Sequence, residues 1–88
     1  MKRNKNYLLH SVAGQNVIVP VGDACKDFNG MLTVNETGKF LWEQLAEETT
    51  VEKLVQALLA EYAVSAETAE ADIQQFLDEL RKAHGLNE

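Results

Sequence analysis

The sequence predicts an α+β domain of winged-helix-turn-helix type, a three-stranded antiparallel sheet followed by three helices. Three observations carry that expectation. β-type residues and turn signals fill the chain up to about residue 34, and apolar residues at helical spacing fill the rest. The character changes once, near Asn35, with no linker and no internal repeat. The composition, 45% hydrophobic and 25% charged with five Gly and one Pro among 88 residues, is that of a globular chain. A chain of this length buries roughly 60–65% of the surface its unfolded form exposes. That suffices for one core, so residues 1–88 are expected to form a single domain.

Residues 7–13 read as the first strand, and Gly14-Gln15-Asn16 as the turn after it. Residues 17–21 form the strongest strand candidate, with Val17, Val19 and Val21 on one face. Pro20 lacks an amide hydrogen, so pairing should end or bulge there. Residues 22–30 read as a loop closed by the Asn29-Gly30 turn. Residues 31–34 read as the third strand, with Leu32 and Val34 on one face.

Asn35 suits an N-cap and Glu36 a first helical turn. The first helix should run to about Glu48, with Phe40, Leu41 and Leu45 inward and Trp42 on a shoulder. Trp42 is assigned to packing or to a contact between two copies of the chain, with no role at a site. Thr49 and Glu52 have capping-box spacing for the second helix. That helix carries Val51, Leu54, Val55, Leu58, Leu59 and Tyr62 on its apolar side. Ser65 should cap the third helix, whose core face is Ala69, Ile73, Phe76, Leu77 and Leu80. Its acids come early and its bases late, as the macrodipole favours, and Gly85 should terminate it.

No apolar run is long enough to span a membrane, and Lys2, Arg3 and Lys5 introduce no apolar h-region. One cysteine excludes an intramolecular disulfide. A cytoplasmic protein is therefore expected. The net charge is −6; without the three basic residues of the N-terminal arm, five basic residues face fourteen acidic ones, a balance of −9. Such a body repels phosphate backbones.

Catalysis finds no support. Cys25, His10 and His84 are the possible nucleophile and bases, but their spacing does not bring them together. Structural zinc takes four Cys or His ligands, and the chain has three such residues. No phosphate-binding or dinucleotide fingerprint is present. The expectation is therefore no enzyme, no metal and no cofactor.

The element order also suits a winged-helix DNA-binding transcriptional regulator, whose last helix would read the major groove. Here that helix shows Glu67, Glu70, Asp72, Asp78 and Glu79 before its first base, Arg81. Peptide binding fits better. A three-stranded meander leaves its third strand at an edge, and residues 31–34 carry no charge and no proline to blunt it. Such an edge either takes an added peptide strand or is covered by a loop or a second copy of the chain.

The stretch Phe28-Asn29-Gly30-Met31-Leu32-Thr33-Val34-Asn35-Glu36-Thr37-Gly38, running into Leu41-Trp42, resembles the PqqD family. So do Thr50-Val51-Glu52-Lys53-Leu54-Val55, Glu61-Tyr62-Ala63-Val64-Ser65 and Asp72-Ile73-Gln74-Gln75-Phe76-Leu77. The resemblance covers about residues 17–86 and implies a winged-helix-like recognition domain. Such domains capture the leader of a ribosomally made precursor peptide and present it to a modifying enzyme, often a radical S-adenosylmethionine enzyme. Family members take the leader as an added strand between the third strand and the third helix. That implies a peptide-binding site at Met31, Leu32, Thr33 and Val34 and along the third helix. On that helix Thr68, Asp72, Gln75 and Glu79 form a polar stripe flanking the apolar face. Asp72, Gln75 and Glu79, with Phe76, are the expected wall of the groove. The partners expected are the leader peptide and its modifying enzyme, without nucleic acid or membrane; a homodimer is compatible with them.

Overall fold

The computed structural model describes residues 1–27 and 30–88. Its elements in order are β1 (Lys2–Arg3), β2 (Tyr7–Val12), β3 (Gln15–Pro20), α1 (Ala24–Asp27), β4 (Leu32–Val34), α2 (Glu36–Gln44), α3 (Val51–Glu61), α4 (Ala66–Lys82) and β5 (Leu86–Asn87). The three-stranded antiparallel sheet, in the order β2-β3-β4, and the three long helices are those expected. The short α1 and the β1–β5 pair are additions.

The β2–β3 hairpin closes on Ala13 and Gly14, not on residues 14–16. Both central residues have positive φ, 51° and 80°, as the two-residue turn matching the strand twist requires. Gly14 adopts that conformation without penalty, and tight closure moves the turn one residue toward the N-terminus. The register runs from Tyr7 opposite Pro20 to Val12 opposite Gln15, so Pro20 does end the strand.

The core face of β3 is not that of Val17 and Val19. Ile18, not the row of valines, joins the cluster beneath the helices. Val17 points to the other side of the sheet yet is only 2% exposed. It lies between His10 of β2 and Thr33 of β4. Because Val17 and Ile18, on opposite faces, are both buried, this part of β3 reads as a continuous apolar run and not as an alternation. Val21 lies beyond the strand.

The segment expected as a loop contains α1, a single turn whose Ala24 is buried in the core. One turn carries no periodicity for a sequence reading to detect. The expected Asn29-Gly30 turn lies outside the described residues.

Each long helix begins with a side-chain cap. Asn35 accepts from the Gly38 amide at 2.8 Å, and Ser65 from the Thr68 amide at 3.1 Å. For α3 the cap is Thr50, which accepts from Lys53 at 3.2 Å. Thr49 is displaced from that role because its amide donates to the Met1 carbonyl at 2.9 Å.

Helix α2 stops at Gln44, short of Glu48, because the N-terminal arm seals its end. The Arg3 amide donates to the Leu45 carbonyl at 2.9 Å, and the Arg3 guanidinium to the Trp42 carbonyl at 3.0 Å. That guanidinium also lies over the Trp42 ring, 5.3 Å from its centroid. Trp42 is not on a shoulder: it is 2% exposed and belongs to the core, while Phe40 is half-buried and meets Tyr62 edge-on.

The α4 core face is as expected: Ala69, Ile73, Phe76, Leu77 and Leu80 are all buried. Its terminator is His84, not Gly85. His84 has φ 61°, its amide donates to Arg81, and the Gly85 amide reaches back to Leu80 at 2.8 Å. This is a Schellman end with a histidine in the left-handed position. β5 follows and pairs antiparallel with β1, holding the two terminal segments together.

Candidate functional site

Among the described residues strand β4 pairs with β3 on one side only, which leaves the other edge of its three residues open. Beside that edge lies a groove of about 640 Å³. One wall comes from Thr33 and Val34, the opposite wall from Asp72, Gln75, Phe76 and Glu79 of α4. Those four positions are spaced i, i+3, i+4 and i+7, so one stripe of the helix faces one cleft. The start of α2 and the Gly14–Asn16 end of the hairpin complete the lining. The register that sets Asn16 opposite Val34 carries the hairpin end to this place.

The lining sorts by polarity. Val34, Gly38, Leu41 and Phe76 are buried and make an apolar floor; Thr33, Glu36, Asp72 and Gln75 are exposed at the rim, and Glu79 is half-buried. Among the described residues three carboxylates therefore border the groove and no lysine or arginine does. Asn16 donates to Glu36 at 3.4 Å. Among the described residues no ion pair reaches Glu36, Asp72 or Glu79, whereas Asp78, on the same helix, is 3.0 Å from Arg81.

Of the expected site residues, the fold gathers Thr33, Val34, Asp72, Gln75, Phe76 and Glu79 around this groove. Met31 precedes β4, is 59% exposed and stands outside the lining, as does Leu32, whose side chain packs on the core. Thr68 is also outside it, engaged with the Ser65 hydroxyl at 2.9 Å. The sequence reading passed over Glu36, the hairpin end and Gly38. Gly38 did leave a signal. A glycine inside a helix costs up to about 1 kcal/mol relative to alanine, so its presence points to a close approach. A Cβ there would stand 2.9 Å from Val34 Cβ and 3.3 Å from the Phe76 ring.

The residues considered for chemistry lie apart from the groove. Cys25 is exposed on α1 with its thiol 3.4 Å from the Pro20 carbonyl; His10 is exposed on β2, and His84 closes α4. No group of three or more His, Cys, Asp or Glu among the described residues is placed to hold a metal ion. No helix among them is long and apolar enough to cross a membrane.

The model of one protein family, described as Coenzyme PQQ synthesis protein D (PqqD), matches residues 15–86. Two solved structures share the fold. One shows TbiB1 in complex with the TbiA(beta) leader peptide: TM-score 0.76, 24% identity, covering 99% of this chain and 95% of that one. The other shows lasso peptide synthetase B1 complexed with the leader peptide: TM-score 0.69, 18% identity, covering 92% and 89%. No curated protein matches the chain.

Proposed function

The chain belongs to the PqqD family, and from that premise we propose that it binds the leader of a ribosomally synthesised precursor peptide and presents it to a modifying enzyme. The observation that carries the reading is the open edge of β4 lying along a groove walled by α4. An extended peptide laid there extends the sheet by one strand, its backbone pairing with β4 and alternate side chains turning toward the apolar floor. Main-chain pairing supplies affinity with little demand on sequence, and the α4 stripe supplies discrimination. The site residues are then Thr33, Val34, Asp72, Gln75, Phe76 and Glu79, with Met31 and Leu32 extending the strand toward the incoming peptide. Both shared-fold structures contain a leader peptide, which favours this reading.

The role is one of binding and delivery. The enzyme it serves is, on this reading, a radical S-adenosylmethionine enzyme acting in the cytoplasm. A DNA-reading role has no comparable support, since α4 exposes Glu67, Glu70, Asp72 and Asp78 along its length.

The test is titration of the isotope-labelled chain with the leader of a precursor peptide encoded beside it. Expected are amide shifts concentrated at residues 31–34 and along α4, with slowed hydrogen exchange at β4. Adding the chain should also speed modification of that precursor by the neighbouring enzyme. Saturable shifts confined to other surfaces, or tight sequence-specific binding of duplex DNA, would replace this reading.

A further inference from the structure

We propose that the peptide segment seated beside β4 carries one apolar side chain flanked by lysine or arginine. The inference rests on the strand-addition reading of the groove and names the chemistry of its ligand.

The apolar part follows from the floor. Val34, Leu41 and Phe76 are buried in the lining and give the groove an apolar floor, to which Gly38 adds no side chain. The open volume of the groove above this floor, about 640 Å³, leaves room for an apolar side chain of the ligand. An added strand turns every second side chain to the helix side of the sheet, at a spacing of about 7 Å. One such side chain reaches the floor, and those on either side of it come out at the rim.

The basic part follows from charge. Glu36, Asp72 and Glu79 border the groove, with no cation in the lining and no ion pair to any of them among the described residues. Of the two cations on α4, Arg81 holds both Asp78 and Glu88, each at 3.0 Å, and Lys82 forms no ion pair among the described residues. Glu79 is half-buried, so it gains more from a counter-charge than a fully solvated carboxylate. A basic segment supplies that counter-charge, and an acidic one sets like charges together in a confined space. The effect is local, because screening at physiological salt confines it to about 8 Å.

The experiment uses the full chain and two fluorescein-labelled peptides with the same alternating Thr/Leu core, one flanked by lysines and one by glutamates. Fluorescence anisotropy should give roughly tenfold preference for the lysine-flanked peptide at physiological salt, with the preference shrinking as salt rises. Asp72→Asn with Glu79→Gln should collapse it. Glu67→Gln with Glu70→Gln, on the outer face of α4, should leave it standing while changing net charge equally. Equal affinity for the two peptides, or equal loss of preference in the two double variants, overturns the proposal and leaves strand addition intact. If neither peptide binds the folded chain, the strand-addition reading fails, and this one with it.

Discussion

A Cβ on Gly38 would stand 2.9 Å from the Cβ of Val34, so helix α2 approaches strand β4 to a distance that glycine alone permits. The same approach brings Asn35 Oδ1 within 2.8 Å of the Gly38 amide, so one segment caps the helix and spaces the groove.

Gly38→Ala is therefore expected to destabilise the chain, against the usual gain of up to about 1 kcal/mol for replacing glycine in a helix. Overpacking costs about 1–3 kcal/mol, because Val34 Cβ sits on backbone and cannot swing away. A net loss of about 1 kcal/mol lowers Tm by about 4–8 °C in a domain of this size. Thermal and urea unfolding measure it; a stabilised variant would show that α2 can slide away from β4.

Thr33→Pro should weaken leader binding much more than Thr33→Ala. Proline removes a backbone donor from β4 and fixes φ away from the extended range. One lost hydrogen bond is worth about 0.5–1.5 kcal/mol, and the distortion of neighbouring pairs adds to it. Circular dichroism must show both variants folded. Equal affinities would then remove strand addition at this position.

Tyr7→Phe should cost about 1–3 kcal/mol. The Tyr7 hydroxyl donates to the Ala83 carbonyl at 2.5 Å in a buried site. That carbonyl lies at the end of α4, where helix geometry leaves carbonyl groups without intrahelical partners. Because the contact ties β2 to the last turn of α4, the variant should speed hydrogen exchange around residues 83–87 before it affects β3. Wild-type stability in Tyr7→Phe would show that water replaces the hydroxyl there.

The Glu88 carboxyl should titrate below the usual glutamate range. Its chief cause is the hydrogen bonding from Arg81, whose Nε and Nη2 donate to the two carboxylate oxygens at 3.0 Å each, with the coulombic attraction of Arg81 adding to it. A carboxyl lowered by folding stabilises the folded state above its unfolded pKa, and that contribution is lost as pH falls through the lowered folded value. Arg81 stays charged throughout, its own pKa raised by Glu88. NMR titration of the carboxyl should show the depression, and Arg81→Gln should abolish it. An unchanged titration in Arg81→Gln would mean that the pair is not formed in solution.

Much of the architecture was legible in residues 35–82 because helices are local objects. Asn35 and Ser65 announced caps, and the apolar spacing of Ala69, Ile73, Phe76, Leu77 and Leu80 picked out the buried face of α4. Asp72, Gln75 and Glu79 followed as the stripe beside that face, so half of the groove could be read before the fold was known. Where the reading failed, a distant partner decided the outcome. Thr49, bound to Met1, gave up the α3 cap to Thr50, and α2 stopped at Gln44 where Arg3 meets its end.

Periodicity, caps and charge in this chain thus determined three strands, three long helices, the face that α4 buries and an acidic body unsuited to phosphate. Only tertiary structure decided that Ile18 and not the valines faces the helices, because burial on both sides of a central strand erases the alternation that reveals a face. Only tertiary structure joined β1 to β5 and carried Gly14–Asn16 to the groove, since strand pairing depends on residues far apart in sequence. The role of Gly38 belongs to the same class: its meaning lies in a 2.9 Å approach to a neighbouring strand, a distance between elements that no local pattern encodes.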